Sequence, residues 1–407
     1  SLSGPPLGSA IFPLRTAQTM SAIDFGSSTE VSPANGVIYT GSGQDSVEAV
    51  NALTGKTIWK TKTFNGDTAQ PLVFSNVVVV SSGDPWMNFM SVQEWARKDK
   101  TTRLGASFQA LHGFNPETGA ELWTRYTRGS DMMTPAAYDG NLYWVNGSGS
   151  VWAINAQTGQ DVAPFVQGFG HVALKLGGFN AVNAGAVVMT ANNTPVLLAG
   201  TSNPAMLYGI DLNNDTVLWQ QSLASLGVHG QNLSVCEVTP AVDTAKGLMI
   251  ADVVVKTSAG QAQEVVYALN DATGRIVWQQ AIGSGAVFDG FTGAVPMIHD
   301  GVVYVGNPLN KTYAALNVQT GAVLWSASVG VRVQGPGAAI GTQLLIAGGP
   351  NVLAVNAATG QITQTTTLGG DFLGDGPVVV GGTVYLGNSY GWVLARPVAQ
   401  LLKAGSS

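Results

Sequence analysis

Charged residues are scarce in this chain. Only 10% of its 407 residues are Asp, Glu, Lys or Arg, whereas about 25% are charged in ordinary soluble proteins. Ion pairs stop stabilising a fold once acid protonates the carboxylates, so this composition suits an exported protein, periplasmic or extracellular, that works in acid. The alternative is an exported protein whose turns are simply rich in Gly, Ser and Thr. With a formal net charge of −6 and no interleaving of basic and aromatic residues, nothing indicates nucleic-acid binding.

Cysteine and long apolar runs are equally scarce. The single cysteine, Cys236, excludes an internal disulfide, and no Cys-x-x-Cys or haem-attachment motif is present. No stretch approaches the run of about 18 apolar residues that predicts a transmembrane helix. Residues 1–4 lack the charge and the apolar stretch of a signal segment, and we interpret this start as a processed or trimmed end.

The chain instead has 52 glycines and a short sequence motif that is repeated along it, here called the repeated phrase. Four copies read NALTGKTIW at 51–59, NPETGAELW at 115–123, NDATGRIVW at 270–278 and NVQTGAVLW at 317–325. Each copy follows an alternating apolar run that predicts a β-strand, and its Thr-Gly predicts a tight turn into the next strand. Weaker copies at 155–159 and 356–360 lack the Trp. We interpret the Trp residues as packing residues of the hairpin rather than as contacts to a cofactor.

A second strand-forming element precedes each hairpin. It consists of a Pro, small or apolar residues, a Gly turn and a strand that ends in Gly, as at 296–306, 336–348 and 377–387. Together the two elements give eight units of about four strands each, which predicts an all-β, eight-bladed β-propeller of four-stranded antiparallel blades. We assign residues 1–407 to this single domain. The stretch before Asp24 is expected to supply a strand that closes the ring.

Two connections are longer than a propeller turn requires. Residues 84–108 hold four of the 18 basic residues, and their core, 90–98, predicts a short helix. Residues 160–180 include Phe165 and Phe169. Apolar groups in long loops on a rigid ring predict a lid or a subunit interface, the alternative being a solvated surface loop. We expect a homodimer formed through these insertion loops.

The repeat Asn/Asp-x-x-Thr-Gly-x-x-x-Trp resembles that of the pyrroloquinoline-quinone-like (PQQ-like) propellers and covers nearly the whole chain. The resemblance implies the fold and leaves several functions open. PQQ-dependent dehydrogenases carry a vicinal Cys pair and a Ca²⁺ site of Glu, Asn and Asp, which one cysteine and the lack of an obvious acidic cluster do not match. Non-catalytic propeller scaffolds of the outer-membrane assembly type need no catalytic group and normally carry a lipidated N-terminal Cys.

The interpretation we favour is a third one. In its low charge, its eight units and its long insertions, the sequence looks similar to the tetrathionate hydrolases of acidophilic sulfur-oxidising bacteria. This resemblance implies a polythionate hydrolase that converts a small anionic sulfur substrate, tetrathionate, to thiosulfate, sulfur and sulfate. It further implies no cofactor and no metal, an Asp that acts as a general acid, and loops that join two subunits.

Asp289 is the residue that best matches this acid. It lies between two phenylalanines in the segment 285–293, with no other charge nearby. An apolar setting favours the protonated form of a carboxyl group, which donates a proton in acid. The alternative is ordinary turn chemistry, because Asp-Gly pairs favour turns.

The remaining candidates, except His171 of the 160–180 insertion, lie in connections that lead into the first strand of each unit. These connections converge at one mouth of a propeller's channel, where ligands usually bind. We expect Arg332 and the backbone N–H groups of Gly290 and Gly293 to bind the substrate beside Phe288. Further candidates are Asp131, Asp375, Cys236 and His171. For the last two, a packing cysteine and a surface histidine are the alternatives.

Overall fold

A computed structural model gives the coordinates of the chain. The residues it describes are 31–34, 36–42, 46–63, 69–82, 110–127, 131, 133–147, 149–165, 174–176, 185–201, 206–223, 239–288, 293–372, 374, 376–388 and 393–402. Two predicted features lie outside them, namely the closing strand before Asp24 and the helix of the 84–108 insertion.

The described strands form eight antiparallel sheets that follow one another along the chain. The first four sheets are β1–β4 (Val31–Ala34, Val37–Ser42, Ser46–Asn51, Thr57–Lys62), β5–β8 (Leu72–Phe74, Val77–Ser82, Ala110–Phe114, Glu121–Tyr126), β9–β12 (Ala136–Tyr138, Asn141–Val145, Ser150–Asn155, Leu174–Lys175) and β13–β16 (Val187–Ala191, Thr194–Thr201, Met206–Asp211, Thr216–Ser222). The last four are β17–β20 (Ala241–Asp243, Leu248–Ser258, Gln261–Asn270, Ile276–Ala286), β21–β24 (Met297–His299, Val302–Asn307, Thr312–Asn317, Val323–Ser328), β25–β27 (Ala338–Ile340, Gln343–Asn356, Ile362–Phe372) and β28–β30 (Val378–Val380, Thr383–Gly387, Val393–Pro397).

This order confirms the predicted all-β, eight-bladed propeller. Six sheets have four strands, and within the described residues the last two sheets have three. In the seventh sheet a single element of 14 residues, β26, pairs with both of its neighbours. Every strand is paired with its neighbour in sequence, as hairpins require.

Eight apolar clusters hold the ring together, one between each pair of consecutive sheets. Successive side chains of a strand point to opposite faces of its sheet. In β19, Val265 therefore packs against the fourth sheet and Val266 against the sixth. Ile38 of the first sheet packs against Tyr385 of the eighth, so the ring is closed.

Each copy of the repeated phrase forms the turn between the third and fourth strands of a sheet. In the sixth sheet the Asn317 side chain accepts hydrogen bonds from the backbone N–H groups of Gln319 and Thr320, both at 3.0 Å. Gly321 follows with a φ of +72°, in the left-handed region that glycine enters without steric cost. The phrase thus specifies its turn through a side-chain cap and a glycine.

The tryptophan that ends the phrase joins its sheet to the next one. Trp278 of the fifth sheet covers Gly321 of the sixth, and its indole N–H donates to the carbonyl of Val318 at 2.9 Å. The same contact recurs at four other interfaces, where Trp59, Trp123, Trp219 and Trp325 cover Gly119, Gly159, Gly274 and Gly360. These tryptophans are packing residues, as predicted.

Helix is almost absent from the part of the chain that is described. The short helix α1 (Val398–Leu401) packs Leu401 against the seventh and eighth sheets. Among the described residues, no helix has the length and apolarity that crossing a membrane requires.

The 160–180 insertion differs in part from its prediction. Phe165, expected in a loop that covers the site or contacts a second subunit, is fully buried. Its ring packs edge-on against Tyr143, with ring centroids 6.1 Å apart. Phe165 therefore belongs to the core between the third and fourth sheets and does not contribute to a subunit interface.

Gly321→Ala is expected to destabilise the ring. The new Cβ would lie 2.6 Å from the Trp278 ring, and alanine at a positive φ is strained, so the free energy of unfolding falls by about 2–4 kcal/mol. Denaturant unfolding measures the change. Gly140→Ala is the matched control, because Gly140 has a φ of +77° and no atom within 4 Å of its Cβ position. An equal loss in both variants would contradict the role of the indole contact.

Candidate functional site

The candidate site lies on one face of the ring. This face carries the connections that run from the last strand of one sheet to the first strand of the next. Because neighbouring strands are antiparallel, these connections emerge on the same face as those between the second and third strands of each sheet. The first strands are innermost, since β1 contacts both β5 and β28. Two neighbouring connections on this face carry Phe288, Gly293 and Arg332. They are the 287–296 loop, of which 289–292 lie outside the described residues, and the 329–337 loop.

Phe288 and Arg332 are brought together by these two loops. The guanidinium carbon of Arg332 lies 3.9 Å from the centroid of the Phe288 ring, where the π-electrons attract a cation. Arg332 is exposed and Phe288 is half-buried. Stacking on the ring leaves the edge of the guanidinium, with its N–H donors, accessible to an anion.

Backbone contacts hold the 329–337 loop in place. The N–H of Val295 donates to the carbonyl of Gln334 at 2.8 Å, which ties the two loops together. The loop also lies against Gly348 of the seventh sheet, where any side chain would meet the carbonyl of Arg332. The position of Arg332 is therefore set by packed backbone on both sides.

Both ends of the 287–296 loop are held by the hairpin of β18 and β19. The N–H of Val287 donates to the carbonyl of Gly260, in the turn of this hairpin, at 2.9 Å. The N–H of Ala294 donates to Oδ2 of Asp252, also at 2.9 Å. Gly293, one of the predicted substrate-binding residues, is buried next to this second anchor.

Asp252 belongs to a buried acid pair that sequence reasoning missed. It is 1% exposed, and its diagonal neighbour on the adjacent strand, Glu264, is fully buried. Burial raises the pKa of Asp252 above its usual range, although the hydrogen bonds from Glu264 and from Ala294 lower it in part. The sequence did contain a signal for this pair. Positions 252 and 264 each carry a carboxyl group where the pattern of a buried strand predicts an apolar residue.

Asp131 lies at a different interface, in the connection between the second and third sheets. Its side chain is fully buried and accepts a hydrogen bond from Nε1 of Trp144 at 2.9 Å and another from the Thr127 hydroxyl. Burial raises the pKa of Asp131 to about 7, against the lowering effect of both hydrogen bonds. Asp131 is therefore protonated in acid, but it has no exposed atoms for a substrate to contact in this conformation.

The other predicted site residues lie outside the described residues, and their roles stay predictions. They are Asp289, Gly290, Asp375, Cys236 and His171. Phe288 and Gly293 are the described residues nearest to Asp289 and Gly290, one on each side of them in the sequence. In the part of the chain that is described, no three His, Cys, Asp or Glu side chains are grouped so as to hold a metal ion.

Comparison with known proteins shows the family of the chain. It is 33% identical to the tetrathionate hydrolase of Acidithiobacillus ferrooxidans over 408 residues, which cover 98% of this chain and 78% of that protein. The chain belongs to the tetrathionate hydrolase family. The tetrathionate hydrolase of Acidianus ambivalens is 30% identical to it, over 88% of this chain and 68% of that protein. The predicted resemblance is confirmed, and with it a hydrolase-like enzyme.

This chain also matches other propellers in its repeat and fold. The family model described as "Outer membrane protein assembly factor BamB" matches residues 13–230 and 311–399. BamB from Moraxella catarrhalis superposes with a TM-score of 0.64 at 15% identity, covering 95% of this chain and 99% of that one. A europium-containing methanol dehydrogenase gives a TM-score of 0.53 at 14% identity, covering 78% and 72%. At these identities the likeness concerns the fold alone.

Asp131→Asn is expected to stabilise the protein at neutral pH. The folded state holds the Asp131 proton more tightly than the unfolded chain does, so the free energy of unfolding falls as pH rises from the ordinary pKa of 3.8 to about 7. Asn imitates the protonated acid, since it retains an acceptor for Trp144 and a donor for Thr127. The variant should match wild type at pH 4 and exceed it at pH 8 by up to about 4 kcal/mol.

Denaturant unfolding at the two pH values measures this difference. Asp300→Asn is the control, because the Asp300 side chain is 89% exposed, and it should leave the pH dependence of wild type unchanged. A loss of stability in Asp131→Asn that is the same at pH 4 and pH 8 would show that the folded protein does not hold a proton on Asp131.

Proposed function

We propose that this protein hydrolyses tetrathionate to thiosulfate, sulfur and sulfate in an acidic environment. Family membership supports the reaction. The Arg332–Phe288 contact supports the location of the site, because Phe288 directly precedes Asp289 in the sequence. The reaction balances when one tetrathionate and one water give one thiosulfate, one sulfur atom, one sulfate and two protons. Small anionic sulfur compounds are thus both substrate and products.

Arg332 is the proposed partner of a sulfonate end of the substrate. Tetrathionate is a dianion that stays ionised in acid, so its oxygens need hydrogen-bond donors and positive charge. A guanidinium supplies both in a planar array. The backbone N–H groups of Gly290 and Gly293 are the proposed further donors, because glycine lets an anion approach the backbone closely. Phe288 holds the cation in place and adds no charge of its own.

Asp289 is the proposed general acid. A water molecule attacks one sulfur atom, and a sulfur-containing anion leaves with a proton from the acid. An uncharged carboxylic acid protonates the leaving group without repelling the dianion, whereas a carboxylate does neither. Apolar neighbours such as Phe288 favour the uncharged form. Activity therefore falls as pH rises and this acid loses its proton.

Buried carboxyl groups support an acidic working environment. Asp131 and Asp252 hold protons better in the folded state, so acid favours folding at these sites. His112 acts in the opposite direction: burial lowers its pKa, so its contribution to stability is lost as pH falls below the ordinary value of 6.5. Together with the low charge content, the acid sites support a periplasmic or extracellular location.

A homodimer remains part of the proposal. The chain's two long insertions, near 84–108 and 160–180, are the proposed contacts, with Phe165 excluded because it is buried in the core. Sedimentation equilibrium at pH 4 is expected to give twice the mass of one chain. A mass of one chain at every concentration would contradict this proposal.

Thiosulfate release from tetrathionate tests the function. Wild type should release thiosulfate at pH 3 and little at pH 7, and Asp289→Asn should lose at least about 100-fold in kcat, the usual contribution of a general acid. Arg332→Gln should raise KM about 10- to 100-fold, since a hydrogen bond to a charged group contributes about 1.5–3 kcal/mol. Arg275→Gln is the matched control, because Arg275 is exposed in a turn on the opposite face of the ring.

Each other outcome has a definite consequence. An active Asp289→Asn variant would keep the enzyme and move the acid role to Asp375, because Asp131 is fully buried. A folded wild type that releases no thiosulfate at either pH would contradict the proposed function and favour a propeller scaffold of the outer-membrane assembly type.

A further inference from the structure

The turn between β22 and β23 of the sixth sheet, residues 308–311, lies on the same face of the ring as the candidate site. Connections between the second and third strands of a sheet emerge on this face, as the antiparallel pairing of the strands requires. The turn ends with Lys311, which is exposed. A further cation therefore lies on the face that carries Arg332.

This turn is packed between the two connections of the candidate site. On one side, Gly285 at the end of β20 packs against the backbone carbonyl of Leu309, with no room for a side chain. Three residues after Gly285, the chain reaches Phe288. On the other side, the N–H of Val329 donates to the carbonyl of Lys311 at 3.0 Å. The turn is therefore held by the start of each connection.

These contacts limit how far Arg332 can lie from Lys311. Arg332 follows Val329 by three residues, a distance of at most about 11 Å along an extended chain. The connection also runs back over the same hairpin, because the carbonyl of Val333 lies against Gly306 of β22, where a side chain would collide with it. Both cations are thus carried at the same end of one hairpin.

Lys311 is held in a backbone conformation that is unusual for a long side chain. Its φ is +59°, in the left-handed region, which is unfavourable for residues with a Cβ. The other described non-glycine residues with a positive φ are all Asn, Asp or Ser, which tolerate this region better than lysine does. The chain thus carries a lysine where a glycine would fit with less strain.

Hydrogen bonds inside the turn fix this conformation. The N–H of Lys311 donates to the carbonyl of Asn307 at 2.9 Å. The Asn310 side chain accepts hydrogen bonds from the N–H and the hydroxyl of Thr312, at 3.2 and 2.7 Å. The Cα–Cβ direction of Lys311 is therefore set by a rigid turn, and only the side chain itself is free to adapt to a ligand.

Neither of the two cations is neutralised by a carboxylate. In the described part of the chain, the ion pairs involve other residues, and neither Lys311 nor Arg332 takes part in one. Two like charges on one hairpin repel each other, and an anion bound between them offsets this repulsion. The arrangement therefore favours a ligand that brings more than one negative charge.

Tetrathionate carries its two charges at opposite ends. A sulfonate lies at each end of a chain of four sulfur atoms. Three S–S bonds of about 2.05 Å each put the terminal sulfur atoms at most about 6 Å apart. One guanidinium binds one sulfonate, so the second sulfonate needs a separate donor within a few ångströms of the first.

We propose that Lys311 binds the second sulfonate of the substrate while Arg332 binds the first, so that the sixth sheet selects anions with two charged ends, the polythionates. The proposal rests on the proposed function, since it places the substrate at Arg332. It adds a specificity-determining residue that lies in a turn of the blade rather than in a connection between blades.

Lys311→Gln tests the contact. The KM for tetrathionate at pH 3 should rise about threefold to tenfold, less than for Arg332→Gln, because an exposed and flexible ammonium contributes less than a stacked guanidinium. The kcat should stay within about twofold of wild type, as expected for a group that binds substrate and transition state equally. Lys56→Gln is the matched control, since Lys56 is an exposed lysine on the opposite face of the ring.

A sulfonate with only one charged end tests the assignment of the two ends. Methanesulfonate should inhibit competitively by occupying the stacked guanidinium. Its Ki should rise in Arg332→Gln and stay at the wild-type value in Lys311→Gln, because Lys311 contacts the end that this anion lacks. An equal rise in both variants would overturn the assignment of Lys311 to the second sulfonate.

Lys311→Gly separates the charge from the fold. Glycine adopts a φ of +59° without strain, so the midpoint of denaturant unfolding should equal or exceed that of wild type, whereas KM should rise as it does in Lys311→Gln. Lys311→Arg should retain most of the wild-type affinity. Asp139→Gly is the control, because Asp139 is exposed on the opposite face with a φ of +45°, and it should leave KM unchanged.

Calorimetric titration with tetrathionate at pH 7 reads binding without turnover. The Kd should rise about threefold to tenfold in Lys311→Gln and in Lys311→Gly. Wild-type values of Kd and KM in both variants, with Arg332→Gln impaired, would overturn the role of Lys311 and leave the proposed function standing. Wild type that binds tetrathionate but releases no thiosulfate would overturn the proposed function, and the calorimetry would still decide the role of Lys311. Absence of binding at pH 3 and at pH 7 would overturn both.

Discussion

The packing of a tryptophan on a glycine of the next sheet is the contact on which the ring depends. A single blade cannot bury both of its faces, so stability comes from the interfaces between neighbours. At five interfaces the indole covers a turn glycine and also hydrogen-bonds to a carbonyl of the same turn. The third sheet has no such tryptophan, and the turn that follows it in the fourth sheet, 211–215, has no glycine. Glycine is thus required where an indole presses on the turn.

A ring built in this way presents its loops on a rigid support. The 329–337 loop is wedged against a strand of the seventh sheet, and the 287–296 loop is clasped by a hairpin of the fifth. That hairpin is longer than those of most other sheets, since β18 has 11 residues and β19 has 10. Its extra length carries Gly260 out to the loop it holds. The candidate site is therefore built on an extension of one blade, which is how a shared fold comes to carry a particular function.

Much of the fold could be predicted from the sequence because the period of the repeat specifies it. Alternating apolar runs, capped turns and the recurring tryptophan each indicate the same hairpin, and the structure contains it. The convergence of Phe288 and Arg332 also followed from the order of strands in a blade, since both residues precede the first strand of a blade. Their functional roles remain predictions, as does that of Asp289.

Other features depend on facts that a single sequence does not contain. Phe165 packs into the core, whereas an apolar residue in a long connection has the same appearance in sequence whether it packs inward or outward. The pairing of Asp252 with Glu264 depends on strand register, because a shift of one residue moves a side chain to the other face. A third case is the α1 helix, which is too short to show helical periodicity.

A crystal structure of the Asp289→Asn variant with tetrathionate at pH 4 tests the central claim most directly, namely that the substrate binds between the 287–296 and 329–337 loops. The account predicts a sulfonate group within hydrogen-bonding distance of the Arg332 guanidinium, beside Phe288. Tetrathionate bound on the opposite face of the ring, among the turns of the repeated phrase, would contradict it.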